Sequence, residues 1–146
     1  MRSRLFYHSP AEREAMLDVL RETLRAQPDV TFAYVHGSFL TERPFHDVDI
    51  AVHLNTAVER QIGRRQMTLS DELKSALSRI PGPTPAADVR ALNSAPLGFC
   101  YQVLRGGRLL LSRDETLRIQ WVMRVVERYL DLKPLRQRAL KEAMTA

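Results

Sequence analysis

Residues 36–52 run His36-Gly37-Ser38-Phe39-Leu40-Thr41-Glu42-Arg43-Pro44-Phe45-His46-Asp47-Val48-Asp49-Ile50-Ala51-Val52. From Asp47 onward the residues alternate. Val48, Ile50, Val52 and the following Leu54 fall on one side, and Asp47, Asp49, Ala51 and His53 on the other, which is the period of a β-strand. Aspartate is depleted in strands because its short polar side chain favours turns and loses solvation in a sheet. Two of them in one strand need a reason. At i and i+2 their carboxylates leave the same face, ~7 Å apart along the strand. That spacing can grip one hard cation from two sides, and magnesium favours one or two carboxylates completed by phosphate oxygens. An acidic pair facing solvent at a strand start is the competing reading. Nine residues before Asp47 lies Gly37-Ser38. Glycine permits close backbone approach to a ligand, and the Ser38 hydroxyl adds a donor beside backbone N–H groups, so the corner can hold phosphate oxygens. A plain tight turn is the alternative there.

Working outward, Val30-Thr-Phe-Ala-Tyr-Val-His36 is rich in β-branched and aromatic residues and predicts a strand that delivers the chain to Gly37. Before it, Ser9-Pro-Ala-Glu12 reads as a capping box with proline at the first helical position. Met16, Leu17, Leu20 and Leu24 follow at helical spacing, predicting a helix over about residues 10–26. After the acidic strand, Thr56 is the expected cap of a second long helix, which Pro81-Gly-Pro ends. A strand over 87–92, a short helix capped by Ser94 and running to Leu104, and a strand over 108–111 follow. A C-terminal helix opens on Ser112-Arg-Asp-Glu115, read as a capping box, with an interruption expected near Pro134. Strands and helices alternate throughout, so the fold class is α/β.

The chain has 146 residues, which fits a single domain over 1–146, and neither repeats nor a linker divides it. With 45% apolar and 27% charged residues it has an ordinary globular composition, and no stretch approaches the ~18 apolar residues of a membrane span. The first residues lack the apolar run of a signal peptide, so a cytoplasmic location is expected. The single cysteine, Cys100, rules out an internal disulfide and multi-cysteine zinc sites, and its setting in Leu97-Gly-Phe-Cys-Tyr predicts a small buried residue. The net charge of +5 is uneven: residues 1–104 hold 12 basic and 12 acidic side chains, and residues 105–146 hold 10 and 5. Interspersed acids make a solvated helix face the simplest reading of this basic end, with contact to RNA, to ATP phosphates or to an acidic partner protein as the other. Trp121 and Tyr129 follow helical spacing and read as packing residues rather than base-stacking ones.

The segment from His36 to Val52 resembles the Gly-Ser…Asp-x-Asp signature of the polymerase-beta-like nucleotidyltransferase superfamily, and is most similar to the minimal nucleotidyltransferase (MNT) antitoxins that act beside HEPN ribonuclease toxins. Ala87-Asp-Val-Arg-Ala-Leu-Asn-Ser-Ala-Pro96 resembles the family's third acidic strand. Val103-Leu-Arg-Gly-Gly-Arg-Leu-Leu-Leu-Ser-Arg-Asp-Glu115 resembles the helix, glycine turn and strand after it, so the likeness spans about residues 30–131. The resemblance implies a small mixed sheet flanked by helices with a C-terminal helix. It implies that Asp47, Asp49 and Asp88 are the catalytic carboxylates and metal ligands, that Gly37 and Ser38 bind the nucleotide, and that Mg2+ and ATP are used. The activity implied is transfer of AMP from ATP to a hydroxyl of a HEPN toxin, a tyrosine on the family pattern, in a hetero-oligomer with that toxin and without direct nucleic-acid binding. For Asp88 an exposed strand-end aspartate is the competing reading.

Two departures stand out. Many members carry Ala-Arg-Gly after the Gly-Ser-x corner, whereas this chain has Leu40-Thr41-Glu42, and its loop before the Asp pair is about two residues shorter than in the longer-loop members. Arg43 and Arg90 are the arginines that could compensate, with plain surface charge as the alternative. A non-catalytic antitoxin acting by contact is the second functional reading. A small-molecule transferase of the aminoglycoside type is the third, disfavoured because ~50 residues after Asp88 leave little room for an added helical domain. Among the four histidines, His36 is expected to support the corner. His46 and His53 are expected as supporting or exposed groups rather than ligands, and His8 is placed in a loose terminus.

Overall fold

The computed structural model describes residues 5–41, 44–56 and 58–145. Their elements are α1 (Pro10–Arg25), β1 (Val30–His36), a short 3-10 helix (Gly37–Leu40), β2 (Asp47–Leu54), α2 (Glu59–Leu77), β3 (Ala86–Ala91), α3 (Leu97–Gly106), β4 (Arg108–Ser112) and α4 (Glu115–Thr145). The strands form one mixed sheet in the order β3-β2-β1-β4. β1 runs antiparallel to both β2 and β4, while β2 and β3 are parallel. A parallel neighbour needs a crossover, and α2 supplies it.

The alternation of β2 builds a core on each face. Val48, Ile50, Val52 and Leu54 pack with Leu17, Leu20 and Leu24 of α1 and Leu69, Leu73 and Leu77 of α2. On the opposite face, Phe32 and Tyr34 of β1 and Ala51 of β2 pack with Cys100 and Val103 of α3 and Trp121 and Val125 of α4. Cys100 is buried, and Trp121 lies 5.2 Å from the Phe32 ring. Tyr129 stacks on Tyr101 at 3.7 Å. Both aromatics of α4 thus serve packing.

The α1 cap forms as its sequence dictates: Glu12 N–H donates to Ser9 Oγ, and Ser9 N–H donates to the Glu12 carboxylate. Other expected caps do not. Val58 precedes α2 with no side-chain cap, because the Thr56 hydroxyl accepts from Val58 N–H and donates to Gln61 Oε1. Pro96 precedes α3 in place of Ser94, since Asn93 anchors the preceding turn by bonding both backbone groups of Leu54. At α4 the side chain that accepts from the first turn is Asp114, bonded by Leu117 N–H, while Ser112 Oγ donates to Glu115. The expected interruption at Pro134 is absent: α4 continues through it. Residues 131–145 are exposed on every side, so the proline ring's crowding of the preceding turn displaces no neighbour. His8 is not loose. Its ring lies 2.9 Å from the Glu12 carboxylate and 5.6 Å from the Phe45 ring.

Candidate active site

Strand register assembles the site. In the parallel pair Asp49 of β2 lies opposite Asp88 of β3, and in the antiparallel pair the same Asp49 lies opposite His36 of β1. A row His36–Asp49–Asp88 therefore crosses three strands on one face, with Asp47 two residues along β2 on that face. Asp47 opens β2 and Asp88 lies near the start of β3, while His36 ends β1 with its ring against Phe99 of α3. Asp47 and Asp88 are exposed and Asp49 is half-buried. Burial pushes the Asp49 carboxyl up to about 6, with Asp88 and then Asp47 adding like-charge repulsion. None of the three carboxylates forms an ion pair among the described residues.

The glycine-serine corner faces the same carboxylates. Gly37 has φ +80°, and a Cβ placed on it would collide with Asp49 Oδ2. Positive φ and this contact each require glycine. From there the chain makes one 3-10 turn over Gly37–Leu40, closed by Thr41 N–H donating to Ser38 O at 3.0 Å, with Ser38 exposed.

Beside the row, His36 is half-buried, its ring 5.4 Å from Phe99 of α3 and its Nε2 buried without a hydrogen-bond partner among the described residues. Burial lowers its pKa, partly opposed by Asp88. Arg90, two residues after Asp88 on the same face, rests its guanidinium 4.2 Å over the Phe99 ring. Arg43 and Glu42 lie outside the described residues. His46 is exposed. His53 shares the face but sits farther along β2, stacked on Phe32 at 4.7 Å and bonded to the Thr31 hydroxyl, a packing position. Sequence reasoning missed Phe99, which read only as part of an apolar helix.

The donor set suits a hard cation: oxygen ligands only, from two adjacent strands, with no ion pair to these carboxylates among the described residues. Among the described residues no three His, Cys, Asp or Glu side chains form a ready-made metal cage.

A small mixed sheet of this topology, with an Asp-x-Asp strand opposite a glycine-serine corner and a C-terminal helix, defines the class: the nucleotidyltransferase fold. The family described as "Polymerase beta, Nucleotidyltransferase" matches residues 18–116, and the chain belongs to that family. No curated protein matches. Among solved structures the chain is similar to one from Shewanella oneidensis described as a tri-AMPylated HEPN toxin in complex with MNT antitoxin, at 22% identity and TM-score 0.67 over 90% of this chain and 98% of that one. It is also similar to a toxin–antitoxin structure with AMP-PNP, at 23% identity and TM-score 0.67 over 88% and 98%. A structure of the toxin–antitoxin MntA-HepT matches at 22% identity and TM-score 0.66, over 90% and 98%. At these identities the likeness establishes the fold.

Proposed function

We propose that this nucleotidyltransferase transfers AMP from ATP to a hydroxyl, a tyrosine on a HEPN ribonuclease toxin, and so neutralises that partner. The observation that carries the transferase reading is the convergence of Asp49, Asp88 and Gly37 on one open end of the sheet. The partner is supported by the similar solved structures, which are described as MNT–HEPN complexes.

Asp47 and Asp49 would hold magnesium, with Asp88 as a further ligand. Bound there, the metal supplies charge neutralisation for the triphosphate and lowers the pKa of the attacking hydroxyl. Gly37, at positive φ and packed against Asp49, turns the chain so that the corner's backbone stands beside the carboxylates, and Ser38 offers its hydroxyl to the phosphate oxygens. Asp88, exposed on the outer strand, accepts the proton of the incoming hydroxyl. The bond from that oxygen to the α-phosphorus forms as the bond to the bridging oxygen breaks, and pyrophosphate carries away the leaving charge. Arg90 stands two residues from Asp88 on β3, its guanidinium over the Phe99 ring.

With α-labelled ATP, magnesium and the partner toxin, label is expected on the toxin, and Asp47→Asn or Asp49→Asn should abolish it. Asp88→Asn should slow transfer about 10²–10⁴-fold, the usual contribution of a general base. Two observations favour a second reading, an antitoxin that acts by contact: Leu40-Thr41-Glu42 occupies the place of the arginine motif in the sequence, and Arg90 is engaged on Phe99. Neutralisation that persists in both Asn variants without label transfer selects that reading.

A further inference from the structure

We propose that Arg13 of α1 is a positioning residue for the nucleotide, a buried guanidinium that fixes the far end of the Gly37–Leu40 corner. The inference rests on the reading that this corner holds the triphosphate. Arg13 is 9% exposed, the one charged side chain among the buried residues described. Its Nη1 donates to the carbonyls of both Phe39 and Thr41, and its Nε donates to His8 O at 3.0 Å. Its Cζ lies 5.0 Å from the centre of the Phe45 ring and 5.7 Å from that of Phe39.

These contacts bracket the candidate site. Phe39 and Thr41 end the corner that begins at Gly37, and Phe45 stands two residues before Asp47. One planar cation therefore sets both the exit of the corner and the approach to the first carboxylate. A 3-10 turn this short leaves its last carbonyls with no following turn to bond them, and Arg13 supplies those donors from a helix already fixed by its Ser9–Glu12 capping box. Burying a cation is a poor way to stabilise a core, since an apolar side chain of similar volume often does as well. What the guanidinium adds is direction: a rigid fork of donors meeting carbonyls two residues apart. The corner is held at its start by the fit of Gly37 against Asp49 and at its end by Arg13. The backbone N–H groups and hydroxyl of Ser38 are thereby set against the metal site before nucleotide arrives.

The test compares the full chain with Arg13→Met, which keeps the apolar stem and removes the donors, with Arg13→Lys, and with Arg65→Met. Arg65 is a half-buried arginine, less enclosed than Arg13, that bonds Asp29 and Gln27, away from the site. Binding of a non-hydrolysable ATP analogue with magnesium, and amide hydrogen exchange at Phe39–Thr41, are measured well below each melting temperature. Arg13→Met should weaken binding roughly tenfold to a hundredfold, as expected for a displaced binding group, with Arg13→Lys intermediate. Exchange at Thr41 should quicken in Arg13→Met alone, and Arg65→Met should lose stability without losing affinity. Arg13→Met that binds like the parent, or loses affinity only in proportion to its stability as Arg65→Met does, overturns the proposal. If Arg13→Met does not fold, Arg13→Lys decides: parental affinity with parental Thr41 exchange overturns it. If the parent itself binds no nucleotide, the triphosphate reading fails and the nucleotide-positioning role falls with it, while the exchange data still report whether Arg13 orders the corner.

Discussion

Gly37 meets two demands that no other residue satisfies together. Its φ of +80° lies where an L side chain costs about 1–2 kcal/mol, and the space a Cβ would fill is taken by Asp49 Oδ2. Gly82 meets only the first, with φ +106° and nothing within 4 Å of a Cβ there. Gly37→Ala and Gly82→Ala should therefore lose comparable stability in thermal melts, while only Gly37→Ala also displaces a carboxylate and loses label transfer beyond what its stability explains. Equal transfer by both variants would contradict the contact between corner and carboxylate. At this scale Gly37, Ser38, Asp47 and Asp49 stand out as candidates by type and spacing, Asp88 only through the family resemblance, and the register of β2 sets Asp49 opposite both Asp88 and His36. Arg13 does not stand out. It stands between two glutamates in Glu12-Arg13-Glu14, and its burial depends on carbonyls 26 and 28 positions away that no local pattern announces.

Elements were legible where their signals are local and lost where a distant partner competes. The Ser9 capping box forms because every group in it lies within one turn. Thr56 and Ser94 are equally good caps by type, yet Thr56 bonds forward to Val58 and Gln61, and the turn containing Ser94 is set by Asn93 on Leu54. Long-range polar ties fix how helices meet the sheet, and Arg65 on α2 is the clearest. It reaches the Asp29 carboxylate with two bonds, of 2.7 and 3.0 Å, just before β1. The side chains are 22% and 32% exposed, so the pair is partly screened and worth about 1–3 kcal/mol as charge-assisted hydrogen bonds. The bond from Arg65 holds the Asp29 carboxyl below its ordinary value of 3.8, against a smaller opposing effect of burial. A depressed carboxylate stabilises the fold fully above its unfolded pKa, and that stability fades as pH falls through the folded one. Asp29→Asn should be less stable than the parent at neutral pH by denaturant melts, and the gap should close as pH drops below the ordinary carboxylate range. A gap that persists unchanged in strong acid would show that the pair contributes shape rather than charge.

At the scale of the whole molecule, the sheet divides the chain into two cores of unequal security. The face under α1 and α2 is sealed by a broad set of aliphatic side chains, whereas the face that carries the carboxylates is closed by α3 and the part of α4 up to Tyr129. Within α4 only Trp121 and Val125 are buried, and residues 131–145 are exposed throughout. A helix segment of that length without a packed face is marginal in water, and Pro134 adds about 3 kcal/mol against it. The two parts of α4 should therefore separate by mutation. A chain ending after Leu130 should melt at the parental temperature, with a fall in helical circular dichroism as its main change. Trp121→Ala, which leaves a cavity against Phe32, should cost about 3–5 kcal/mol. At roughly 2–8 °C per kcal/mol for a domain of this size range, that is a large drop in melting temperature. The carboxylate face would loosen first, because Trp121 and Phe32 share the core that holds β1 beside Asp49. A truncated chain that melts far below the parent would instead show that the exposed end of α4 is part of the folded unit, and the division drawn here between core and free helix would be wrong.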